Sequence, residues 1–428
     1  MAYCVGLVGK EKTVILSRAE HGVSRRKIDP DALKVLYRLT GHDHTAYLVG
    51  GGVRDLLLGR EPKDFDISTD AHPGEIKRLF KNCVLIGRRF RLAHIRFRGG
   101  KIIETSTFRS VPEADGEDEL YHHRDNTFGS PEEDARRRDF TINGLFYDVR
   151  TFNVIDHVGG LADLRKRVVR CIGDPDVRFR EDPVRMVRAV RFAARLGFRI
   201  ERRTLRGIAR HADELEKAST ARLLEEIYKL FPFGSGEPAF RLLHETGLLP
   251  ALFPELTAYL KRTPKRQVNL WRHLYALDKG SAVMPQPTPA LLLGAALYCL
   301  YEERIARLRS EEAHIDYLAE ARAVLDPIAA RYRMPKKVYF ALVHMFAEQR
   351  RFRGQDGRRF SRRKFAARES FPEALALYEL DLAAHDEDMA ALKPWKDLLR
   401  EQAPRREEKS REERGKRRRR RRPRRRRR

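Results

Sequence analysis

Cysteine is scarce: the 428 residues hold four, Cys4, Cys83, Cys171 and Cys299, far apart and with no C-x-x-C pair. That excludes a zinc ribbon and a disulfide framework, and it fits a reducing compartment. Long apolar runs are missing too. The longest, Ala290 to Tyr301, falls short of the roughly 20 residues that cross a bilayer. The opening MAYCVGLVGKEK puts its apolar residues before its charges and has no small-residue cleavage site, the wrong order for a secretory signal. A soluble, cytoplasmic protein with no membrane partner is expected. No internal repeat is visible.

What the chain has in excess is positive charge: 88 Lys and Arg against 61 Asp and Glu, a net +27. Residues 405–428 carry 17 basic and 4 acidic side chains, so this tail accounts for +13 and the rest of the chain for +14. A field of that sign draws polyanions, and nucleic acid is the commonest large one in a cell. RGKRRRRRRPRRRRR, from Arg414 onward, cannot bury a core and is expected to be disordered.

At this length the fold should be modular, because single cores stop growing near about 250–300 residues. DALKVLYRL (Asp31–Leu39) has helical spacing, whereas AYLVG (Ala46–Gly50), CVLIG (Cys83–Gly87), LAHIRF (Leu92–Phe97) and KIIETSTF (Lys101–Phe108) are β-rich. Residues 110–129 are polar and aperiodic, a long loop. From about Leu161 onward helical periodicity takes over, punctuated by FPFGSGEP and MPQPTP.

Four stretches carry chemistry. In GGGVRD (Gly50–Asp55), glycines at a strand end let backbone N–H groups approach a phosphate, and Arg54 offers a bidentate contact; no G-K-S/T follows, so it is not a P-loop. In KDFDIST (Lys63–Thr69), strand alternation puts Asp64 and Asp66 on one face and Phe65 and Ile67 on the other. Two carboxylates that close repel each other unless a cation is near, and a pair bridging Mg²⁺ ions would neutralise charge at a phosphoryl centre. SPEEDARRRDFTIN (Ser130–Asn143) opens with the Ser130, Pro131, Glu133 capping-box signature and delivers Arg137, Arg138, Asp139 and Asn143 to one neighbourhood. In REDPVRMVRAVRFAARLGF (Arg180–Phe198), Asp182 reads as the N-cap and Gly197 as the stop. Arg185, Arg188, Arg191 and Arg195 form a basic stripe without acidic partners in the same helix, and a nearby phosphate would relieve their repulsion.

LVGGGVRD, KDFDI, RRRDFTIN and REDPVRMVRAVRFAARLGF resemble, in this order, the motifs of bacterial class II nucleotidyltransferases, the family of CCA-adding enzymes and poly(A) polymerases, over roughly residues 15–260. Within that family, Arg78–Phe97 with its GRRFRL, Arg18–Leu39 and the Arg-rich tail look like the poly(A) polymerases. The resemblance implies an α+β chain: a nucleotidyltransferase-fold head with a small mixed sheet and helices, then an all-α neck, body and leg. The expected divisions are an N-terminal arm 1–30, a catalytic head 31–158, a neck 159–225 that selects the base and touches RNA, an RNA-binding body and leg 226–404, and the disordered tail 405–428.

It also implies roles. Asp64 and Asp66 match the metal-binding aspartates, holding Mg²⁺, or Mn²⁺ in its place, while an RNA 3′-hydroxyl attacks the α-phosphate of ATP and pyrophosphate leaves. Asp139 matches a third active-site acid, with Glu104 as its rival. Gly51, Arg54 and Arg138 match nucleotide contacts, and Asp182, Arg185, Arg188 and Arg191 match the neck helix that pairs with the incoming base. Gly144 stands where the family more often has alanine, a difference expected to cost helix stability of up to about 1 kcal/mol. Template-independent polyadenylation of RNA 3′ ends is the leading expectation; CCA addition to tRNA and an inactive RNA-binding scaffold are the alternatives, the last opposed by the intact Asp64 and Asp66. An HD-type phosphohydrolase is set aside, since no H…HD…D positions surround His385-Asp386. In relatives such tails are also implicated in contacts with RNA-decay machinery. Deleting 405–428 should weaken RNA affinity and flatten its salt dependence while leaving single-nucleotide addition intact; binding measured across a salt series checks this, and an unchanged slope overturns it.

Overall fold

The computed structural model describes residues 13–87, 92–110, 128–262, 264–312, 314–354 and 360–402, without the side chains of 264–268. The long loop, the GRRFRL segment and the basic tail therefore lie largely or wholly outside the described residues. The chain forms two compact units, Met1–Glu214 and Leu215–Arg428, where the sequence reading drew head, neck and body boundaries at 158 and 225.

The first unit is built on eight strands: β1 (Val14–Leu16), β2 (Ala46–Val49), β3 (Asp66–Thr69), β4 (Cys83–Ile86), β5 (Leu92–Arg96), β6 (Ile102–Thr107), β7 (Leu145–Asp148) and β8 (Val154–Asp156). Their order is β1-β8-β7-β2-β3-β6-β5-β4, and β3 with β6 is a parallel pair in a sheet whose other pairs are antiparallel. Part of the stretch expected to be a polar arm is thus the sheet's edge strand β1. Helices α1 (Pro30–Thr40), α2 (Gly51–Leu57), α3 (Pro73–Leu79), α4 (Pro131–Arg137) and α5 (Gly160–Lys166) accompany it. Apolar spacing puts Ala32, Val35, Leu36 and Leu39 on the buried face of α1, whose start is capped by the Asp29 carboxylate accepting from Asp31 N at 2.8 Å. The core on one side of the sheet gathers Val49, Phe108, Ala135, Phe146, Val158 and Ile172.

A short pair, β9 (Val168–Val169) and β10 (Arg199–Ile200), ties the sheet domain to α6 (Pro175–Glu181), α7 (Val184–Leu196) and α8 (Arg202–His211). The loop after β8 hangs on one side chain. Asp156, buried, accepts from Val158 N (3.0 Å), Gly160 N (3.0 Å) and Leu161 N (2.8 Å).

The second unit is helical throughout its described residues: α9 (Thr220–Tyr228), α10 (Gly236–Glu245), α11 (Leu249–Leu252), α12 (Pro254–Arg262), α13 (Pro264–Lys279), α14 (Pro289–Ser310), α15 (Tyr317–Tyr332), α16 (Lys336–Phe352), α17 (Arg362–Ala366) and α18 (Phe371–Ala384). Most of α18 and the first half of α14 are buried on every side, which makes them its central helices. Among the described residues no helix is long and apolar enough to cross a membrane.

One expectation fails on geometry. Gly144 is not inside a helix but closes the 3₁₀ turn Thr141–Asn143, and a Cβ there would stand 2.5 Å from Val158 Cγ2. Gly144→Ala should therefore destabilise by about 1–3 kcal/mol through overpacking, and a Val158→Ala background should remove most of that loss, as chemical denaturation of the four variants of the cycle will measure.

Candidate active site

The chain leaves β2 at Val49 and turns on Gly50, whose φ of +70° suits glycine. A side chain there would also press on the Arg138 guanidinium, 3.0 Å from where a Cβ would be. Helix α2 follows at once, so the main-chain N–H groups of Gly51 and Gly52 stand in its first turn, where no intrahelical acceptor exists.

Next to this turn β3 begins at Asp66, not at Asp64. Asp64 lies in the preceding loop, so shared strand alternation does not relate the two carboxylates, although both are exposed and Asp64 still acts on Asp66. The parallel register pairs Ile67 with Thr105, which sets Glu104 beside Asp66. Asp66 opens to solvent on one side and is crowded by protein on the other. That crowding, then the Glu104 carboxylate, pushes its carboxyl up to about 6; Arg138 opposes the shift and Asp64 adds to it. Among the described residues His94 Nε2 stands 3.4 Å from Glu104. Three carboxylates thus converge on the end of β3. An all-oxygen donor set of this kind suits a hard divalent cation, and Asp64, Asp66 and Glu104 are the residues that would hold it.

Arg138 lies against the same place. Its Nη2 donates to Asp134 (2.9 Å) and to Ser68 Oγ (3.2 Å), and its guanidinium packs 5.3 Å from the centre of the Phe146 ring. Gly50, Gly51, Arg138, Asp64, Asp66 and Glu104 are therefore brought together. The main chain of Arg137 and Arg138 is in turn gripped by Arg178, whose Nη2 donates to both carbonyls.

Two expected roles change. Arg54 is 2% exposed and is committed to protein: Nε and Nη2 to Asp55 (2.9 and 2.7 Å), Nη1 to Asn143 Oδ1 (2.6 Å), with the guanidinium over Phe192. These contacts tie the turn to Asn143 from its buried side. Asp139 is buried as well, and it accepts from Arg188 Nε (2.8 Å) and Nη2 (2.6 Å), Asn143 Nδ2 (3.0 Å) and Phe140 N (2.8 Å). Burial works against its ionisation, but Arg188 and these hydrogen bonds win and hold its carboxyl down to about 2. Asp139 is a fixed anion that orients Arg188; of the two rivals, Glu104 is the one beside Asp66.

The basic stripe of α7 also differs from the expectation of unpaired arginines. Arg185 donates to Glu181 and to the Arg178 carbonyl, both at 3.0 Å. Arg188 takes Asp139, Arg191 stacks 4.4 Å from the Phe192 ring centre, and Arg195 reaches Asp55 at 3.0 Å. The carboxylates that take Arg188 and Arg195 come from distant segments, so spacing within the helix could not reveal them. Asp182 precedes α7 and contributes its carbonyl to Arg185 N (3.1 Å); helix α7 itself starts after Pro183, without a side-chain cap. Asp55, Asn143, Arg178, Glu181 and Phe192 were not assigned roles from the sequence. Asp55, Asn143, Glu181 and Phe192 lie inside the motifs and Arg178 just before one, and only their contacts distinguish them.

Residues 46–170 match the family described as poly A polymerase head domain, 197–260 the family "Probable RNA and SrmB- binding site of polymerase A", and 310–428 the polymerase A arginine-rich C-terminus. The poly(A) polymerase I of Salmonella typhi is 42% identical over 365 residues, 82% of this chain and 78% of that protein. A CCA-adding enzyme of Lactobacillus gasseri is 38% identical over 261 residues, 58% of this chain and 63% of its own. Among solved structures, the CCA-adding enzyme of Bacillus stearothermophilus in complex with CTP superposes with a TM-score of 0.63 at 27% identity, covering 88% of this chain and 83% of that one. With its α+β head, its clustered carboxylates and these matches, the chain belongs to the poly(A) polymerase family of nucleotidyltransferases.

Proposed function

We propose that this protein adds AMP from ATP to RNA 3′ ends without a template. In the reaction the 3′-hydroxyl oxygen bonds to the α-phosphorus, the bond to the β-phosphate bridging oxygen breaks, and pyrophosphate leaves. The observation that carries the proposal is the convergence of Asp64, Asp66 and Glu104 beside the Gly50–Gly51 turn and Arg138, in a chain 42% identical to a poly(A) polymerase I. Mg²⁺, or Mn²⁺ in its place, would be held by Asp64 and Asp66 with Glu104 and would supply charge neutralisation and lower the pKa of the attacking hydroxyl.

The remaining work falls to the chain's own groups. Main-chain N–H groups of Gly51 and Gly52 and the Arg138 guanidinium bind triphosphate oxygens. Arg54 keeps the glycine turn in shape from its buried side. Asp182 and Arg185 offer an acceptor and a donor to the adenine edge, a pattern worth about 1–3 kcal/mol of discrimination per good bidentate pair. Glu181 and the Arg178 carbonyl hold Arg185 extended before the base arrives, which spares the ordering of a long side chain on binding. Arg188 and Arg191 complete the neck-helix contacts. The helical residues 226–404 and the basic tail bind the RNA chain electrostatically, and contacts of that tail with RNA-decay proteins in the cytoplasm belong to the same proposal.

Primer extension with purified protein and Mg²⁺, comparing ATP with CTP on a generic RNA and on tRNA lacking CCA, tests it. Long ATP ladders on the generic RNA, reduced by at least about 10³-fold in Asp64→Ala, are expected. Short CTP-dependent addition confined to the tRNA would make the protein a CCA-adding enzyme, and no incorporation would leave an RNA-binding scaffold. The raised Asp66 carboxyl has its own consequence. Folding disfavours its ionised form, so a penalty is absent below the ordinary carboxylate range and fully present above pH about 6. Asp66→Asn should stabilise the metal-free protein by up to about 1 kcal/mol near pH 7.5 after solvent screening, with little difference near pH 4. Denaturant melts at the two pH values check the sign.

A further inference from the structure

Away from the carboxylates of the first unit, three helices of the second bring four side chains to one point. His273 on α13, Glu302 on α14, Asp381 on α18 and His385 just past its end each offer a ligand atom within 4.8 Å of all the others. His273 Nε2 is 3.0 Å and His385 Nδ1 3.2 Å from the same oxygen, Asp381 Oδ1, and Glu302 Oε2 is 4.0 Å from His273 Nε2. Ligand atoms bonded to one ion at about 2.0–2.2 Å lie some 3–3.5 Å apart. The first two spacings already meet that requirement, and a small rotation of the partly exposed Glu302 side chain brings in the fourth donor.

The surroundings support a bound ion. Arg353 Nη2 holds the other oxygen of Asp381, and its Nη1 holds Glu387 at 3.1 Å. The carboxylate is thereby fixed with Oδ1 turned toward both imidazoles, as outer partners fix ligands in metal sites. His273 and Asp381 are completely buried, and His385 Nδ1 also stands 2.9 Å from the Asp381 carbonyl, a hydrogen bond that a bound ion would replace. A cavity of about 340 Å³ is lined by Glu302, Arg353, His385 and Glu387, and another of about 790 Å³ also reaches Glu302, so the cluster has an entry path. The His-Asp dipeptide set aside as a phosphohydrolase site is used only in its first half: Asp386, at φ +55°, is not among the four.

We propose that His273, Glu302, Asp381 and His385 bind one divalent transition-metal ion, Zn²⁺ as the first choice, that pins α13, α14 and α18 together. Two nitrogen and two carboxylate donors suit Zn²⁺ better than Mg²⁺, and four protein ligands leave no open position, which marks a structural ion.

The experiment uses the full-length chain carrying Asp64→Asn and Asp66→Asn to silence the other acidic site. After chelator treatment it is titrated with Co²⁺, read by its visible d–d absorption, and Zn²⁺ is then added to displace it. One equivalent of Co²⁺ displaced by Zn²⁺ is expected, with a Tm several degrees higher in excess Zn²⁺. Glu302→Gln and His385→Gln should each weaken binding more than about tenfold and abolish the Tm shift. Circular dichroism verifies that these variants fold. No Co²⁺ band and no Tm change in the parent protein, or a titration that neither variant alters, would overturn the proposal, and the parent result decides even if the variants do not fold.

Discussion

The first unit depends on a buried chain of charge pairs that joins three distant segments. Arg54 behind the glycine turn bonds Asp55 and Asn143, Asn143 bonds Asp139, Asp139 holds Arg188, and Asp55 takes Arg195. Phe192 lies between, packed against Arg54, Arg188 and Arg191. Each ion in such a chain is expensive to bury alone, and removing one partner of a buried pair costs on the order of 3–5 kcal/mol. The arrangement is therefore all-or-none: the Gly50–Gly51 turn and helix α7 are held in one register because neither can move without stranding a charge.

The solvent side of the same region follows the opposite rule. Behind the turn Arg54, Asp55, Asp139, Arg188 and Arg195 are paired; at the end of β3 Asp66 is crowded by Glu104 and Asp64, with Arg138 opposing their effect. Repulsion from Glu104 and Asp64 raises the cost of ionising Asp66, and the proposed cation would relieve it. The contrast between Asp139, held down to about 2, and Asp66, pushed up to about 6, separates an anion fixed by an arginine and hydrogen bonds from one crowded by other carboxylates.

The second unit repeats the theme in a helical setting. His273 and Asp381 sit where α13 and α18 meet, inside a packing of aromatic rings that includes Tyr298 and Phe346. Polar groups in such a core need mutual satisfaction, and the Arg353 contact with Asp381 accomplishes part of it.

Much of this was legible in the chain itself. The α1 periodicity, the Ser130 capping box and the strand segments are decided by neighbours a few residues away, so the structure bears them out nearly residue for residue. The DFD and RRRD stretches likewise announce carboxylates and arginines because both lie within short runs. What the sequence could not decide was which distant groups meet. Arg195 finds Asp55 across 140 residues, Arg188 finds Asp139 across 49 and Arg54 finds Asn143 across 89; these contacts pair two arginines of an apparently unpaired stripe and engage Arg54 and Asp139 with protein groups. Glu104 comes beside Asp66 only because β3 and β6 pair in parallel, and the four donors in the second unit meet only because α13, α14 and α18 pack together. Periodicity and capping are local properties of the chain, whereas a charge's partner depends on the path of the backbone between them, and that path is set by the packing of the whole unit.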